Sequence, residues 1–286
     1  HDQAGSGLEF NQPLLHHRGF RPIRLLTCLL NSLFMPHSPL VSVVIPTYYR
    51  NERLRNAIES INYQTYTNIE IIVVDDSGEE FAEHIVTEKS NSNIDLEYIP
   101  LQKNKGAHQA RKVGVQSANG KYISFLDDDD EFTPDKISKQ VNLIRQLDDV
   151  GIIYCGVERR NEFGDTIEKI FPDTDYRGDV LQDALEFRIV PCIPSTIFAQ
   201  AEILKSINFP SNLGGADDIS LNIELAQKTK FDFVSECLTI NHSEPQSRSQ
   251  SIDSYHGRER LLEIYGYLYD KYPGSDTLKN IRSNTL

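Results

Sequence analysis

The chain alternates short apolar runs with stretches in which apolar residues recur every three or four positions, from Val41 to about residue 158. Such runs are typical of buried strands, and the three-to-four spacing is typical of helices. The pattern predicts strands at 41–46, 69–77, 94–101, 121–127 and 150–158, and helices at 52–64, 81–90, 108–118 and 134–147. Because nearly all-apolar strands alternate with helices, we predict an α/β fold with a mainly parallel sheet flanked by helices.

The pattern is less regular after about residue 160. It predicts a hairpin or loop at 162–171, a helix at 180–188, a strand and a helix start within 191–204, a helix at 217–230, a strand at 231–243 and an amphipathic helix at 255–272. The last helix carries four tyrosines that we expect to pack on the core, with membrane contact or dimerisation as the alternatives: Tyr265, Tyr267, Tyr269 and Tyr272.

Residues 1–38 fit neither pattern and are treated as an N-terminal extension. Arg18, Arg21 and Arg24 precede the apolar segment LLTCLL, which is one way to build an interfacial membrane anchor. The alternative is an artefact of the gene start, with translation beginning at Met35, and this second interpretation is the favoured one.

Composition narrows the classes of function. The formal net charge is -13, with 42 acidic against 29 basic residues, which argues against binding of a nucleic-acid backbone and favours a bound cation. No apolar stretch reaches the ~20 residues of a membrane span, so any membrane contact would be peripheral. The cysteines lack C-x-x-C spacing and indicate reduced thiols in a cytoplasmic protein: Cys28, Cys155, Cys192 and Cys237.

Five acidic residues, Asp127 to Glu131, follow the predicted strand 121–127 without interruption. Carboxylates this close repel one another, so the run is either a solvated turn or a site for a divalent cation. Asp75 and Asp76 lie at the end of another predicted strand. Ligands of such sheets bind outside the carboxyl ends of the strands, so we expect both acidic groups to face one pocket.

Four motifs in order carry a family resemblance: VSVVIPTYYRNERL, IIVVDDS with NKGAHQARKVG, GKYISFLDDDDEFTPDKI and GGADDISLNIELA. Together they resemble the inverting family 2 glycosyltransferases of GT-A fold, over roughly Val41 to Ala226. The resemblance implies a nucleotide-sugar-binding half at 39–160, an acceptor and catalytic-base half at 161–254, and a C-terminal helix and tail at 255–286.

The implied reaction moves a hexosyl or N-acetylhexosaminyl group, with inversion, from a UDP- or GDP-sugar to a saccharide or lipid-linked acceptor. Polysaccharide or other glycan assembly is the expected context. The expected location is the cytoplasm, with peripheral contact at the cytoplasmic face of the membrane left open.

The resemblance also assigns donor-binding residues. Tyr48 would stack on the nucleotide base, and Asp76 would accept hydrogen bonds from it. In the NKGAHQARKVG motif, Lys112 stands where the family usually has asparagine, which puts the fine substrate assignment in doubt. The full donor set is Pro46, Tyr48, Asp76, Asn104, Gly106, Arg111, Asp127, Asp128 and Asp217.

The acidic run contains the family's D-x-D motif, matched by Asp127 and Asp129. Asp129 is the expected direct ligand of Mn²⁺ or Mg²⁺, with Asp127 or Asp128 on the ribose or the metal. The metal would bridge the donor diphosphate. His242 is a further expected ligand of the metal, because related enzymes recruit a histidine late in the chain; a packing histidine is the alternative.

Asp218 matches the family's general base, which takes the proton from the acceptor hydroxyl. Asp217 stands where the family usually has glutamate. Without the motif order, both would be ordinary acids at a helix N-terminus. Three other classes stay as alternatives: a nucleotidyltransferase of related fold, a phosphoacceptor domain and a non-catalytic sugar-nucleotide binding module.

Overall fold

The computed structural model describes residues 38–89, 94–242 and 252–272. The interpretation of residues 1–34 therefore falls outside the described part of the chain, and the predicted subdivision into halves stays a prediction. No helix within the described residues is long and apolar enough to cross a membrane.

The strands are β1 Val41–Thr47, β2 Ile69–Asp75, β3 Asp95–Pro100, β4 Tyr122–Phe125, β5 Asp130–Phe132, β6 Val150–Arg160, β7 Thr166–Ile170, β8 Phe198–Gln200 and β9 Lys230–His242. The helices are α1 Asn51–Asn62, α2 Glu83–Lys89, α3 Ala107–Ser117, α4 Lys136–Ile144, α5 Leu181–Leu185, α6 Ala201–Ser206, α7 Asp217–Ala226 and α8 Ile252–Tyr269. A short 3-10 helix covers Pro194–Thr196.

All these strands join one sheet in the order β3-β2-β1-β4-β8-β6-β9-β5, with β7 paired to β6. The neighbours β3, β2, β1 and β4 are parallel, as predicted. Beyond β4 the sheet is mixed: β8 is antiparallel to β4 and β6, whereas β6 and β9 are parallel. The predicted α/β class with a mainly parallel, helix-flanked sheet is confirmed.

The two faces of β1 show how the helices are divided. Val43 and Ile45 face the core formed with α1, α2 and α4, whereas Val44 faces the core formed with α3 and α5 to α8. Successive strand side chains point to opposite faces, so a strand apolar at every position must be covered on both sides. This is the physical basis of the predicted fold class.

Several predicted elements differ in extent. The segment at 162–171 forms the β6–β7 hairpin, one of the two predicted alternatives. The helix predicted at 180–188 is shorter, and the one predicted at 217–230 ends at Ala226. β5 was not predicted, because three residues that begin with two acids carry no apolar run; its pairing with β9 is what makes it a strand.

Helix α8 closes the face that carries α7. Tyr265 and Tyr269 are buried, as predicted, and their hydroxyls bond to Glu224 and to the carbonyl of Leu185. The expectation is wrong for Tyr267, which is 56% exposed. Cys155 and Cys192 are buried free thiols and Cys237 is a partly buried one, whereas Cys28 lies outside the described residues.

Gly257 allows α8 to approach the loop that leads into α7. A Cβ at this position would overlap the carbonyl of Leu213 and touch the side chain of Ala216. A Cβ at Gly266, on the same helix, would meet no atom within 4 Å. The two glycines form a matched pair that separates a steric requirement from helix propensity.

We expect Gly257→Ala to lower the free energy of unfolding by about 2 kcal/mol, because overpacking against backbone outweighs the better helix propensity of alanine. Gly266→Ala should raise it by up to about 1 kcal/mol. Thermal unfolding of both variants checks this. Equal shifts in the two variants would contradict a close approach at Gly257.

Candidate active site

The carboxyl ends of β1, β2 and β4 meet at one edge of the sheet. In the register of the parallel strands, Thr47 lies beside Asp75 and Val44 beside Phe125. The chain that follows each strand therefore starts from the same edge. These three segments carry Tyr48, Asp76 and Asp127, so the structure brings the predicted donor residues together as expected from the topology.

The acidic run folds into a turn in which the amide of Asp130 donates to the carbonyl of Asp127 at 3.0 Å. Asp128 is buried, and its Oδ2 accepts from Thr47 Oγ1 at 2.8 Å and from the amide of Tyr48 at 3.3 Å. Arg50 Nη1 lies 3.2 Å from Asp128 Oδ1 and 2.5 Å from Asp129 Oδ2. The loop after β1 thus holds the acidic turn through charge and hydrogen bonds.

The carboxylates of this turn are held in an unfavourable environment. Burial raises the pKa of Asp128 to about 6, and the charge of Asp129 adds to the shift. Burial and the charge of Asp127 likewise raise the pKa of Asp129. Hard oxygen ligands crowded in this way fit a divalent cation, which would offset their repulsion.

Asp130 supports the turn from below. It is buried and accepts a hydrogen bond from Asn241 Nδ2 at 2.8 Å. Burial and the charges of Asp127 and Asp129 raise the pKa of Asp130, and a hydrogen bond from Ser195 opposes this rise. Ser195 Oγ also accepts from the amide of Asp127 at 3.0 Å. Asp130 is therefore a supporting residue rather than one that faces a ligand.

His242 lies at the end of β9, with Nε2 2.9 Å from Glu131 Oε1. Both side chains are partly exposed. In the pairing of β5 with β9, Asn241 lies opposite Asp130, and His242 follows Asn241 at the end of β9. Its role as a metal ligand stays a prediction.

Asp75 and Asp76 each organise a loop. Asp75 accepts from the amides of Ser77 and Ala82 and from the Tyr98 hydroxyl, at 2.7 to 2.9 Å. The next residue, Asp76, which is the predicted donor-binding residue, is also buried. Its two oxygens accept from the amides of Lys105 and Gly106 at 2.7 and 2.8 Å. Contact of Asp76 with a nucleotide base stays a prediction.

The loop before α3 depends on a glycine. Gly106 has a φ of 87°, which favours glycine, and a Cβ there would meet no atom within 4 Å. Asn104 Oδ1 accepts from the amide of Gly106 at 3.1 Å. The loop is thus shaped by the NKG sequence and leaves open space above Gly106.

Aromatic side chains lie next to the end of β1, at the carboxyl edge of the sheet. Pro46 is buried in the strand, whereas Tyr48 is 42% exposed, as a ring that stacks on a base must be. Tyr49 has a φ of 54°, and its ring packs edge-on against Tyr48 and Phe81 at centroid distances of 4.7 and 4.8 Å. The Tyr49 hydroxyl donates to the carbonyl of Ser77 at 3.3 Å.

Arg111 connects the acidic turn with the start of α7. Its guanidinium is buried and ion-paired with Asp127. Burial opposes its charge, but Asp127, Asp217 and Asp218 raise its pKa above the usual value. Arg111 is therefore ion-paired with the predicted donor side, and the carboxylates at the start of α7 add to the electrostatic stabilisation of its charge.

Asp218 lies in the first turn of α7 and is partly exposed. Burial raises its pKa and the charge of Asp217 adds to this, whereas the amide of Ile219, 2.9 Å from Oδ1, and the charge of Arg111 oppose it. A carboxylate whose pKa is moved toward neutrality is suited to accept a proton. Asp218 also lines a cavity beside α7.

Three site residues were missed by the sequence analysis: Arg50, Thr47 and Ser195. Arg50 and Thr47 belong to the motif that names Pro46 and Tyr48, so a basic residue and a hydroxyl after a strand end were a usable signal. Ser195 had none, because it reaches Asp127 from 68 residues away.

Comparison with known proteins agrees with this geometry. In an α/β fold, ligands bind outside the carboxyl ends of the parallel strands, which is where the acidic turn lies. The family model "Glycosyl transferase family 2" matches residues 42–206. The chain belongs to glycosyltransferase family 2.

Two curated relatives illustrate the similarity in sequence. An uncharacterized glycosyltransferase of Rickettsia prowazekii is 34% identical over 174 residues, which are 60% of this chain and 52% of the relative. TuaG of Bacillus subtilis, provisionally assigned to teichuronic acid biosynthesis, is 26% identical over 201 residues, 70% of this chain and 77% of TuaG. The match thus spans about half the length of the Rickettsia relative.

The solved structure of S. aureus TarS in complex with UDP-GlcNAc has a TM-score of 0.60 and 20% identity, and the match covers 79% of this chain and 66% of that one. At this identity the likeness shows the fold. It agrees with the GT-A fold that the motifs predict.

We expect Arg111→Gln to lower the free energy of unfolding by about 2–3 kcal/mol, because it leaves Asp127 without its buried partner. Adding Asp127→Asn should recover part of this loss, because no unpaired charge then remains. Urea unfolding of the parent, both single variants and the double variant measures the coupling. Strictly additive effects would contradict a direct Arg111–Asp127 interaction.

Proposed function

We propose that the protein is an inverting glycosyltransferase that moves a sugar from a nucleotide-diphosphate donor to an acceptor hydroxyl. The observation that carries this proposal is the position of Arg111, which is paired with Asp127 of the acidic turn and lies in the field of Asp218. A carboxylate cluster for the diphosphate side and a separate carboxylate for the acceptor side are what an in-line displacement requires.

On the donor side, Tyr48 and the loop that contains Gly106 form a surface that suits a nucleotide. The exposed face of Tyr48 would take the base, and the open space above Gly106 would let the ligand approach the backbone. Asp76, Asn104, Asp127, Asp128 and Asp217 complete the proposed donor site.

On the acceptor side, Asp218 would accept the proton of the attacking hydroxyl. The acceptor oxygen forms a bond to the anomeric carbon, the bond from that carbon to the diphosphate oxygen breaks, and the nucleoside diphosphate leaves with the electron pair. With the diphosphate and Asp218 on opposite faces of the donor sugar, as the proposal requires, this attack would invert the anomeric centre.

A divalent metal fits the acidic turn. Within the described residues no three acidic, histidine or cysteine side chains converge on one point, but Mg²⁺ is commonly held by one or two carboxylates together with substrate phosphates. Asp129 would hold the ion, with Asp127 or Asp128 as further oxygen ligands and His242 as a candidate. Bound there, Mn²⁺ or Mg²⁺ would neutralise charge on the leaving diphosphate.

The relatives support a sugar nucleotide and a glycan acceptor. TarS shares the fold and binds UDP-GlcNAc, which supports a UDP-sugar among the candidate donors. TuaG matches over most of its length, and its provisional assignment supports polysaccharide assembly as the context. GDP-sugars and lipid-linked acceptors stay within the proposal.

The first experiment is calorimetric binding of UDP and of GDP, each with and without Mn²⁺. We expect metal-dependent binding of one nucleotide by the parent protein and at least a tenfold loss in Asp129→Ala, because the metal would lose its main ligand. Asp218→Asn should bind the same nucleotide with unchanged affinity but lose sugar transfer.

Each outcome has a separate meaning. Metal-independent binding that survives in Asp129→Ala would contradict the metal assignment alone. Transfer that survives in Asp218→Asn would contradict the base. Absence of nucleotide binding under every metal condition would contradict the donor site, and binding without transfer by the parent would indicate a sugar-nucleotide binding module.

Arg50 now occupies the carboxylate that the metal would need. Its Nη1 lies 2.5 Å from Asp129 Oδ2, so a metal bound at Asp129 would compete with the guanidinium for this carboxylate. We expect Arg50→Gln to raise the affinity for Mn²⁺ alone about fivefold, since a partly exposed pair contributes up to about 1 kcal/mol.

Electron paramagnetic resonance of free Mn²⁺ measures this affinity without any donor. Arg159→Gln is the control, because Arg159 pairs with Glu168 on the β6–β7 hairpin and should leave Mn²⁺ binding unchanged. Unchanged or weaker Mn²⁺ binding in Arg50→Gln would show that the ion does not use Asp129.

A further inference from the structure

A small cavity lies beside Asp218, between α7 and the chain that follows α5. Its volume is about 100 Å³. The residues used below line it: Ala184, Val190, Cys192, Ile193, Asp218 and Asn222.

The position of the cavity assigns it to the acceptor side. Its lining includes the proposed base but no residue of the acidic turn, and Arg111 is also outside it. An acceptor must approach from the side opposite the diphosphate for inversion to occur. The wall of the cavity continues directly into Pro194–Thr196, where Ser195 holds the amide of Asp127, so the cavity is close to the donor site.

Most of the side chains that line the cavity are apolar, and the polar ones other than Asp218 are engaged with each other. Asn222 Nδ2 donates to the carbonyl of Cys192 at 2.8 Å, and Cys192 Sγ donates to Asn222 Oδ1 at 3.3 Å. Asp218 is therefore the group in the lining that is available for a substrate hydroxyl. A ligand of this cavity combines an apolar substituent with a hydroxyl next to it.

The volume limits the size of that substituent. A cavity of about 100 Å³ is smaller than the roughly 150 Å³ cavity that takes a benzene ring, so it suits a methyl or acetamido group and not a whole sugar ring. We propose that this cavity is an acceptor subsite that takes the methyl group of an N-acetyl or 6-deoxy sugar whose neighbouring hydroxyl faces Asp218. This inference rests on the proposed function, because it assigns the acceptor of the same site.

The test uses methyl glycosides in matched pairs: N-acetylglucosamine against glucose, and fucose against galactose. Saturation-transfer nuclear magnetic resonance measures their binding, with and without the nucleotide that the calorimetry identifies. We expect the methyl-bearing member of at least one pair to bind about tenfold more tightly, which is the range for one apolar group in a pocket. The strongest saturation should fall on its acetamide or C6 methyl protons, and the responding pair distinguishes the two substituents.

Two variants change the cavity in different ways. Val190→Asn makes the rim polar at a position that is 51% exposed, so folding should be retained. Ala184→Leu fills the cavity. Ile167→Asn is the control, because Ile167 is 59% exposed on β7 and does not line the cavity.

We expect the tenfold preference to fall to about onefold in both cavity variants and to persist in Ile167→Asn, with nucleotide binding unchanged in all three. Equal binding within both pairs by the parent protein, no binding of any of the four sugars, or a preference that survives in Val190→Asn would overturn the inference. Loss of nucleotide binding by the parent would instead contradict the proposed function, while a methyl preference measured without nucleotide would still support the subsite.

Discussion

The site depends on one buried guanidinium. Arg111 can stay charged without solvent only because Asp127 pairs with it and Asp217 and Asp218 add to the negative field. Its place is fixed by α3, which lies so close to β1 that a Cβ at Gly114 would overlap the Val44 side chain. The close contact of α3 with β1 thereby fixes where Arg111 lies relative to the acidic turn.

The remaining acids of the turn are stabilised in a different way. Asp128 and Asp130 accept from neutral donors such as Thr47 and Asn241, and Arg50 brings a second cation to the turn. Neutral hydrogen bonds offset part of the desolvation of a carboxylate but do not remove its repulsion from the next one. Hydrogen bonds therefore hold the turn in place, but part of its negative charge is left uncompensated. This combination is suited to binding a cation or a ligand that a cation bridges.

The sequence predicted the elements in which buried side chains recur at a regular spacing along the chain. Strands covered on both faces and amphipathic helices were predicted with errors at their ends, and the strand order placed the acidic groups at one edge. Contacts between distant segments were not predictable: β5 exists through pairing with β9, and Arg50 meets Asp129 across 79 residues. Motif matching named Asp76 as a contact of the nucleotide base, which stays a prediction, but it gave no sign that the Asp76 oxygens accept from the amides of Lys105 and Gly106.

Helix α8 touches both walls around the base: Gly257 meets the loop before α7, Tyr265 bonds to Glu224 of α7, and Tyr269 bonds to the end of α5. A ribosome makes the chain from its N-terminus, so the strands β1 to β4 and the acidic turn leave it long before α8 does. The acidic turn also needs Ser195 and β9, which leave the ribosome next, whereas the contacts around Asp218 need the last described helix as well. Premature termination within α8 would yield a chain that retains the donor edge of the sheet. It would lack the α8 contacts that hold α7 and, with it, the proposed general base Asp218.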